Sequence, residues 1–595
     1  MATETSAGRL LEQSRSRPQA PAYFVKTQGQ WRPTTWSEYA RQVMVVSRAL
    51  VALGLKPGEA TANLGFNRPE WTTFDLATSL AGGIPVGIYT TSSAPEVSFI
   101  LHHARARIAL VEDLSQWRKL NEERERLPLL EKVVLMKGAE LPDDLEAGEI
   151  TPISWETLLE AGREIPQEVV LERLSRLKSE DVATLIYTSG TTGPPKAVML
   201  THQNLTWTAK TALTDLLSIT ADDSLLSYLP LSHIAEKMFT IHGSVAAGYA
   251  IYFAQAPTSI ADDLREVQPT LIFGVPRVWE RLYSAVKSRL STTTGAKARL
   301  LGGAMAVTRR AVAASCRGEK PPLLTALGYR LAQRLILQRI KPLLGLGRAR
   351  ICASGAAPIS KEILVFFSGL DILIHEVYGQ SEGCGPTTFN SPGATRLGTV
   401  GPAVPGVDVR IAEDGEVLVR GPNVFPGYFE DPGATAETLV EGWLHSGDLG
   451  ALSEDGYLTI TGRKKELLIT SGGKNISPNN IETALKDQEL ISEAVVIGDG
   501  RRYLTALLVV QPEAVRQRFG EIEDLRQRPD LREAFQEAVD TVNARLARVQ
   551  TVRKFQLLDE PFSVETGELT ATLKLKRRVV EEKFSDLIEA MYRED

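Results

Sequence analysis

Apolar residues recur at helical spacing over residues 39–53, and the pattern stops at Gly54, which predicts an amphipathic helix with a glycine stop. The stretch 108–111 is apolar throughout and reads as a buried strand, as do 271–273, 351–353 and 372–374. From Val182 to Ala250, strand-like runs alternate with loops and helices, the pattern of an α/β protein with helices on the faces of its sheets. Between Gly398 and Thr461 the texture changes. GVDVRI, GEVLVRG and GYLTIT are short strands separated by turns, a small antiparallel β unit. The remainder is a smaller α+β pattern ending in a basic segment. The fold expected is therefore α/β. A large N-terminal domain over residues 1–463 combines mixed sheets and helices with a small β-barrel-like unit. A small α+β domain over 464–595 follows a boundary near Lys465.

Length and composition narrow this. At roughly 100–200 residues per domain, 595 residues predict three to five structural units. Hydrophobic residues make up 43% and charged residues 24%, which excludes a disordered, collagen-like or disulfide-stapled chain. A net charge of −6 gives no reason to expect nucleic acid as a partner. The three cysteines, Cys316, Cys352 and Cys384, are too far apart for a zinc pattern and read as reduced thiols. The N-terminus has no apolar core of a signal peptide, and no window holds about 18 consecutive apolar residues. A cytoplasmic protein is expected, with any membrane contact peripheral. One segment departs from the average. Residues 281–350 carry fifteen Lys or Arg and a single acid, Glu319, in a mostly helical pattern, for example over 323–340. That segment is a solvated helical face or a patch for anionic lipid headgroups. Nucleic acid is the weakest reading, since only Tyr283 and Tyr329 stand among the charges and they make no regular aromatic interleaving.

The chemistry concentrates in residues 185–200, LIYTSGTTGPPKAVML. An apolar strand runs into Thr188, Ser189, Gly190, Thr191, Thr192 and Gly193, then two prolines and Lys196. Glycines let the backbone aim its N–H groups at one point, the hydroxyls add donors and the lysine adds a point charge. This is the composition of a phosphate cradle, although it does not fit the Walker pattern.

TSGTTGPPK resembles the signature loop of the adenylate-forming superfamily, which includes acyl-CoA synthetases, peptide-synthetase adenylation domains and luciferases. The other motifs follow in the family's order from 188 to 574, and the pattern is most similar to the long-chain fatty-acid–CoA ligase branch. The resemblance implies an N-terminal AMP- and acyl-binding adenylation domain and a mobile C-terminal lid. In SYLPLSHIAE (227–236) it implies that His233 lies beside the reacting carboxylate, although a lone histidine in an apolar run is more often a core residue. In VPRVWERLY (275–283) it makes Trp279 the gate of an acyl tunnel, with a plain core tryptophan as the alternative. In ASGAAP (353–358), Gly355 and Ala356 would pack against adenine. In YGQSE (378–382), Tyr378 would stack on adenine, with Gly379 beside it. Ser381 would reach phosphate, in place of the family's usual threonine, and Glu382 would bind Mg²⁺ together with Thr188. GQSEG also satisfies the G-x-S-x-G pattern of serine hydrolases. Gly383, Gly385 and Pro386 disfavour the helix that pattern needs after the serine.

In GWLHSGDLG (442–450), Asp448 reads as a carboxylate in a tight turn that would accept from a ribose diol, with Arg463 as a second ribose contact. Lys465 would be the hinge of the lid. Gly472, Gly473 and Lys474 would then face the thiol of coenzyme A. In ELTATLKLKRR (568–578), Lys574 would enter the site during adenylation, with Lys576 as its alternative.

The activity implied has two steps. A fatty carboxylate, by the same resemblance that of a long-chain acid, attacks the α-phosphate of ATP with Mg²⁺ present. Coenzyme A then takes the acyl group and AMP leaves, so the cofactors expected are ATP, Mg²⁺ and coenzyme A. Lys574, His233, Lys196 and Glu382 are the candidate catalytic residues. Transfer to a separate carrier protein is the nearest rival. A non-catalytic nucleotide-binding protein is less favoured, since Lys196, Glu382, Asp448 and Lys574 are all present.

Overall fold

The computed structural model describes residues 4–142, 150–188, 194–291, 294–520, 528–564, 566–570 and 574–593. Its first helix of consequence, Trp36–Ala52, starts where the sequence supplies a capping box. The Thr35 hydroxyl accepts from the Glu38 N–H, and the Glu38 carboxylate accepts from the Thr35 N–H. It ends before Gly54, whose φ of +91° breaks the helix.

Two sheets dominate the described residues. One has seven strands, in the order Pro152–Ile153, Lys132–Leu135, Ile108–Val111, Ala60–Leu64, Ile84–Ile88, Val182–Thr188 and Lys196–Thr201. Its pairs are parallel except the last, which is an antiparallel hairpin. The other has eight strands, running from Gly385–Phe389 through Ile374–Gln380, Ile351–Ser354, Leu271–Gly274, Ser224–Ser227 and Ala250–Phe253 to Pro21–Thr27 and Gln30–Thr35. Its central strands are parallel and almost wholly buried, as strands covered on both faces are, with Ser224, Ser227 and Ser354 among the buried residues at their ends. The strand expected over 372–374 begins only at Ile374, because Asp371 takes a left-handed turn at φ +60° just before it.

The chain divides into two compact units. The larger comprises Met1–Ala357, Val365–Val409 and Val419–Leu444, and the smaller comprises Pro358–Leu364, Arg410–Leu418 and His445–Asp595. A five-stranded antiparallel sheet, including Asp408–Ile411, Glu416–Arg420 and Trp443–Leu452, lies where this division falls. The smaller unit has its own three-stranded sheet, Ile491–Ile497, Leu504–Val510 and Val552–Leu558. One face of that sheet packs against Ile481, Leu531 and Phe535, and the other against Val580, Ile588 and Met591.

The basic segment folds as a helical hairpin. Gly295–Cys316 is followed by Leu323–Ala332, whose axis continues through a π turn, Gln333–Leu337, into Gln338–Ile340. Gly328 lies against the Val307 side chain, which lets the two helices approach closely. Among the described residues, no helix is long and apolar enough to cross a membrane.

Candidate active site

Strand pairing gathers one group of candidates in the larger unit. Thr188 ends one strand of the terminal hairpin of the seven-stranded sheet, and Lys196 begins the other, directly opposite. The Thr188 hydroxyl donates to the Lys196 carbonyl at 3.4 Å. Ser189, Gly190, Thr191, Thr192 and Gly193, between them, lie outside the described residues. The same strand bridges to Tyr428 through Val198. This places the Lys196 ammonium 4.9 Å from the centre of the Tyr428 ring, within cation–π range. The Tyr428 hydroxyl in turn donates to the Glu382 carboxylate at 2.8 Å. Burial, reinforced by that carboxylate, pushes the phenol upward, so Tyr428 stays a neutral donor. Glu382 sits in the single turn Ser381–Gly383, with its backbone carbonyl held by the Phe425 N–H at 2.8 Å. The carbonyl of Gly383 accepts from Asn423 at 3.1 Å. A strand, Gly385–Phe389, follows, not the helix a serine-hydrolase elbow requires. Tyr428 was missed in the sequence, because it lies 46 residues from Glu382 and a tyrosine after Pro-Gly carries no motif signal.

The segments expected at adenine leave adjacent parallel strands. Gly355 and Ala356 follow Ile351–Ser354, while Tyr378 and Gly379 end Ile374–Gln380. The glycines are needed for space. A Cβ at Gly379 would stand 1.7 Å from the Gly385 carbonyl oxygen, and one at Gly355 would stand 2.7 Å from Val377. Ala356 holds φ +70°, a left-handed conformation that costs a non-glycine residue of order 1–3 kcal/mol. Tyr378 and Ser381 are buried.

His233 caps the helix Ile234–Lys237. Its Nδ1 accepts the Ala235 N–H at 3.1 Å, so the neutral ring carries its proton on Nε2. Below it lies a buried polar network that sequence reasoning did not reach. The Glu236 carboxylate accepts from Ser227 at 2.7 Å, Thr240 at 2.7 Å and Asn67 at 3.3 Å. Asn67 also donates to the Leu229 carbonyl at 2.7 Å, holding the loop that leads to His233. Burial raises the Glu236 carboxyl to about 7, against the pull of those hydroxyl donors and of the Tyr228 and Leu229 N–H groups. Next to it, Lys237 pairs with Asp75 at 2.6 Å and donates to Thr184 at 2.9 Å, with neither partner of the ion pair exposed. Trp279 is wholly buried. Its indole N–H donates to the Ala353 carbonyl at 3.3 Å, and its ring meets Phe367 edge-on.

The smaller unit gathers a second group. Asp448 is not in a tight turn but within a long strand, Trp443–Leu452, paired opposite Arg463. The turn-like sequence is absorbed by Gly447 at φ +73° and by a bulge after Leu449, which bend the strand without ending it. Arg463 Nε meets Asp448 Oδ1 at 2.9 Å. Buried Glu416 anchors this stretch by accepting the Gly447 N–H at 2.8 Å, and it also meets His445 at 3.1 Å and Lys464 at 3.2 Å. Burial would raise its carboxyl, but these partners more than offset that and hold it lowered.

Lys465 is exposed in the turn Lys464–Glu466. Gly472, Gly473 and Lys474 form the exposed tip of the hairpin joining Leu468–Ile469 to Asn475–Ile476, with Gly473 at φ +72°. Lys574 is exposed; its carbonyl accepts from the Thr570 N–H at 2.8 Å, and its own N–H reaches the Thr570 hydroxyl at 3.0 Å. Lys576 donates its N–H to the Glu568 carbonyl at 2.7 Å and caps the helix Arg577–Lys583. Buried Glu568 is held at about 2, in spite of its burial, by Lys583 and the Thr566 hydroxyl. Cys352 and Cys384 are buried thiols pushed up to about 12, too protonated to serve as nucleophiles.

A family profile described as AMP-binding enzyme matches residues 10–429, and one described as AMP-binding enzyme C-terminal domain matches 465–595. The chain is 37% identical to the long-chain-fatty-acid–CoA ligase ACSBG2 of Xenopus laevis, over 95% of this chain and 80% of that protein. It is 35% identical to the long-chain-fatty-acid–CoA ligase FadD15 of Mycobacterium tuberculosis, over 99% of this chain and 97% of that one. Among solved structures, the adenylation domain of a carboxylate reductase from Mycobacterium chelonae superposes with a TM-score of 0.78 at 21% identity, covering 99% of this chain and 91% of that one. The anthranilate CoA ligase AuaEII in complex with anthranoyl-AMP gives 0.73 at 20% identity, covering 98% of each chain.

Proposed function

Because this chain belongs to the AMP-binding enzyme family, we propose that it ligates a long-chain fatty acid to coenzyme A through an acyl-adenylate, releasing AMP and pyrophosphate. The observation that supports this most is the 35% identity to a long-chain-fatty-acid–CoA ligase over 97% of that protein's length, and the Lys196–Tyr428–Glu382 contacts supply the cation and carboxylate such chemistry needs. The triphosphate is held by Thr188, Ser189, Gly190, Thr191, Thr192, Gly193 and Lys196, with Ser381 as a further hydroxyl donor. Adenine packs on Gly355, Ala356, Tyr378 and Gly379. Arg463 orients the Asp448 carboxylate that accepts from the ribose diol.

The Mg²⁺ requirement fits the donors present. Tyr428 fixes Glu382 through Oε1, so the carboxylate would offer a held hard oxygen, and Thr188 would be a second oxygen ligand. When bound, Mg²⁺ would neutralise charge on the transferring phosphoryl group. His233, with its proton on Nε2, orients the fatty carboxylate for in-line attack on the α-phosphate. Lys574 stabilises the charge that grows on the phosphoryl oxygens. The 464–595 domain then turns about Lys465, withdrawing Lys574 and bringing Gly472, Gly473 and Lys474 to the coenzyme A thiol. Trp279 gates the acyl tunnel only by leaving its buried seat and breaking its bond to the Ala353 carbonyl. Peripheral contact of segment 281–350 with anionic membrane belongs to the same proposal and rests on the segment's charge.

The test is AMP and pyrophosphate formation from ATP, Mg²⁺ and a panel of fatty acids, with and without coenzyme A. The reading expects chain-length-dependent turnover that needs coenzyme A. Lys574→Ala should slow adenylation by about 10²–10³-fold, the usual cost of a lost transition-state donor. Pyrophosphate release that stops after one turnover despite coenzyme A would point to another acceptor. No release with any fatty acid would overturn the reading.

A further inference from the structure

Large apolar side chains are distributed unevenly over the surface. Of the thirteen exposed large hydrophobics among the described residues, seven fall between Leu300 and Leu343. Five of these, Leu323, Leu324, Leu327, Leu331 and Leu335, recur at helical spacing along Leu323–Ala332 and the π turn that continues it. Exposure is 89% at Leu323, 86% at Leu324 and 67% at Leu327, so these are not side chains grazed by water at the edge of a core. The opposite face of the same helix is the packed one, with Ala332 buried and Gly328 against Val307. Arg330, Arg334 and Arg339 share the exposed side and make no ion pair among the described residues. A ridge of leucines bordered by free arginines is the composition of a helix that lies in a lipid–water interface.

The charge selects the occupant. Segment 281–350, which contains this hairpin, has fifteen bases to one acid within a chain whose net charge is −6, so it is strongly basic against an acidic average. A second copy of the same face would bring like charges together across a symmetric contact. An anionic bilayer supplies both partners at once: phosphates for the arginines and acyl chains for the leucines.

We propose that the leucine ridge Leu323–Leu324–Leu327–Leu331–Leu335 inserts into the acyl boundary of an anionic phospholipid membrane, with Arg330, Arg334 and Arg339 on its phosphates. This rests on the reading of the basic segment as a peripheral membrane contact and goes beyond it, because charge alone would hold the protein at the surface without insertion.

The experiment is flotation of the full-length protein with phosphatidylcholine vesicles and with vesicles of phosphatidylcholine mixed with phosphatidylglycerol, at low and high salt. It compares wild type with a Leu324→Ser/Leu327→Ser/Leu331→Ser triple variant and an Arg330→Gln/Arg334→Gln/Arg339→Gln triple variant. Wild type should float with the mixed vesicles and stay partly bound at high salt. The leucine variant should lose about tenfold in vesicle affinity for each leucine that had been fully seated. The arginine variant should lose roughly fivefold for each charge, together with the preference for anionic lipid. If wild type and the leucine variant bind equally and salt strips both, the contact is electrostatic only: insertion is overturned and the peripheral reading stands. If wild type does not float with either vesicle, both are overturned. If flotation is unaffected while gel filtration shows the leucine substitutions splitting a dimer, the ridge is a contact between copies and the proposal is wrong.

Discussion

The ground beneath His233 and the outer face of the 323–340 helix violate the same rule in opposite directions. One buries a lysine, two acids and an asparagine at almost no exposure, while the other leaves five leucines in water. The buried groups are tolerable because each has partners: Lys237 has Asp75 and Thr184, and Glu236 has Ser227, Thr240 and Asn67. The leucines have little cover among the described residues, from 89% exposed at Leu323 to 54% at Leu335. A buried polar group with complete partners is an internal device that positions a loop. An apolar row without partners is directed outward, to something the chain does not contain.

Substitutions that remove one partner at a time break this contrast most strongly on the buried side. Lys237→Met leaves the Asp75 carboxylate enclosed without a counter-charge and should cost about 3–5 kcal/mol in urea denaturation. The double variant Lys237→Met/Asp75→Leu should recover most of that, since an apolar pair of similar volume does not carry the desolvation cost. If the single variant were as stable as wild type, the site would be wet and the contrast would fall.

Glu236 sharpens the comparison through pH. Its folded carboxyl titrates at about 7, above its ordinary value of 4.5, so the folded state holds a proton that the unfolded chain has already released. Stability should therefore fall as pH rises between those two values, by at most about 1.4 kcal/mol per pH unit from this group. In Glu236→Gln that component of the slope should vanish, as read from denaturation midpoints across the range. An unchanged slope would mean that Glu236 does not titrate there. The smallest effect is expected on the outer face. Without vesicles, Leu324→Ser and Leu327→Ser should each change stability by no more than about 0.5 kcal/mol, because water already surrounds both side chains. A larger loss would mean that the ridge is covered within the chain.

Much of this was legible along the chain, and some of it was not, for a consistent reason. The helix Trp36–Ala52 and the strand Ile108–Val111 were readable because periodicity and caps are local. Lys196, Glu382, Asp448 and Lys574 could be named as candidates because each stands in a short run that resembles a motif of the family. Asp448 was assigned to a turn, because Gly447 and Gly450 look the same in a turn and in a bent strand, and only pairing with Arg463 separates the two. Tyr428, Asn67 and Asp75 carried no local signal. Their partners lie 46 residues away for Tyr428, 169 for Asn67 at Glu236 and 162 for Asp75 at Lys237. Trp279 could have been a gate or core from its sequence, and its bond to the Ala353 carbonyl is a tertiary fact.

By itself, then, the sequence determined the element order, the α/β class and the succession of motifs that carries the family chemistry, since each of these is written over a few neighbouring residues. The tertiary structure alone decided which side chain fixes Glu382, what the His233 loop rests on and which side of the basic hairpin faces water. Those depend on residues that meet only when the strands pair and the helices pack.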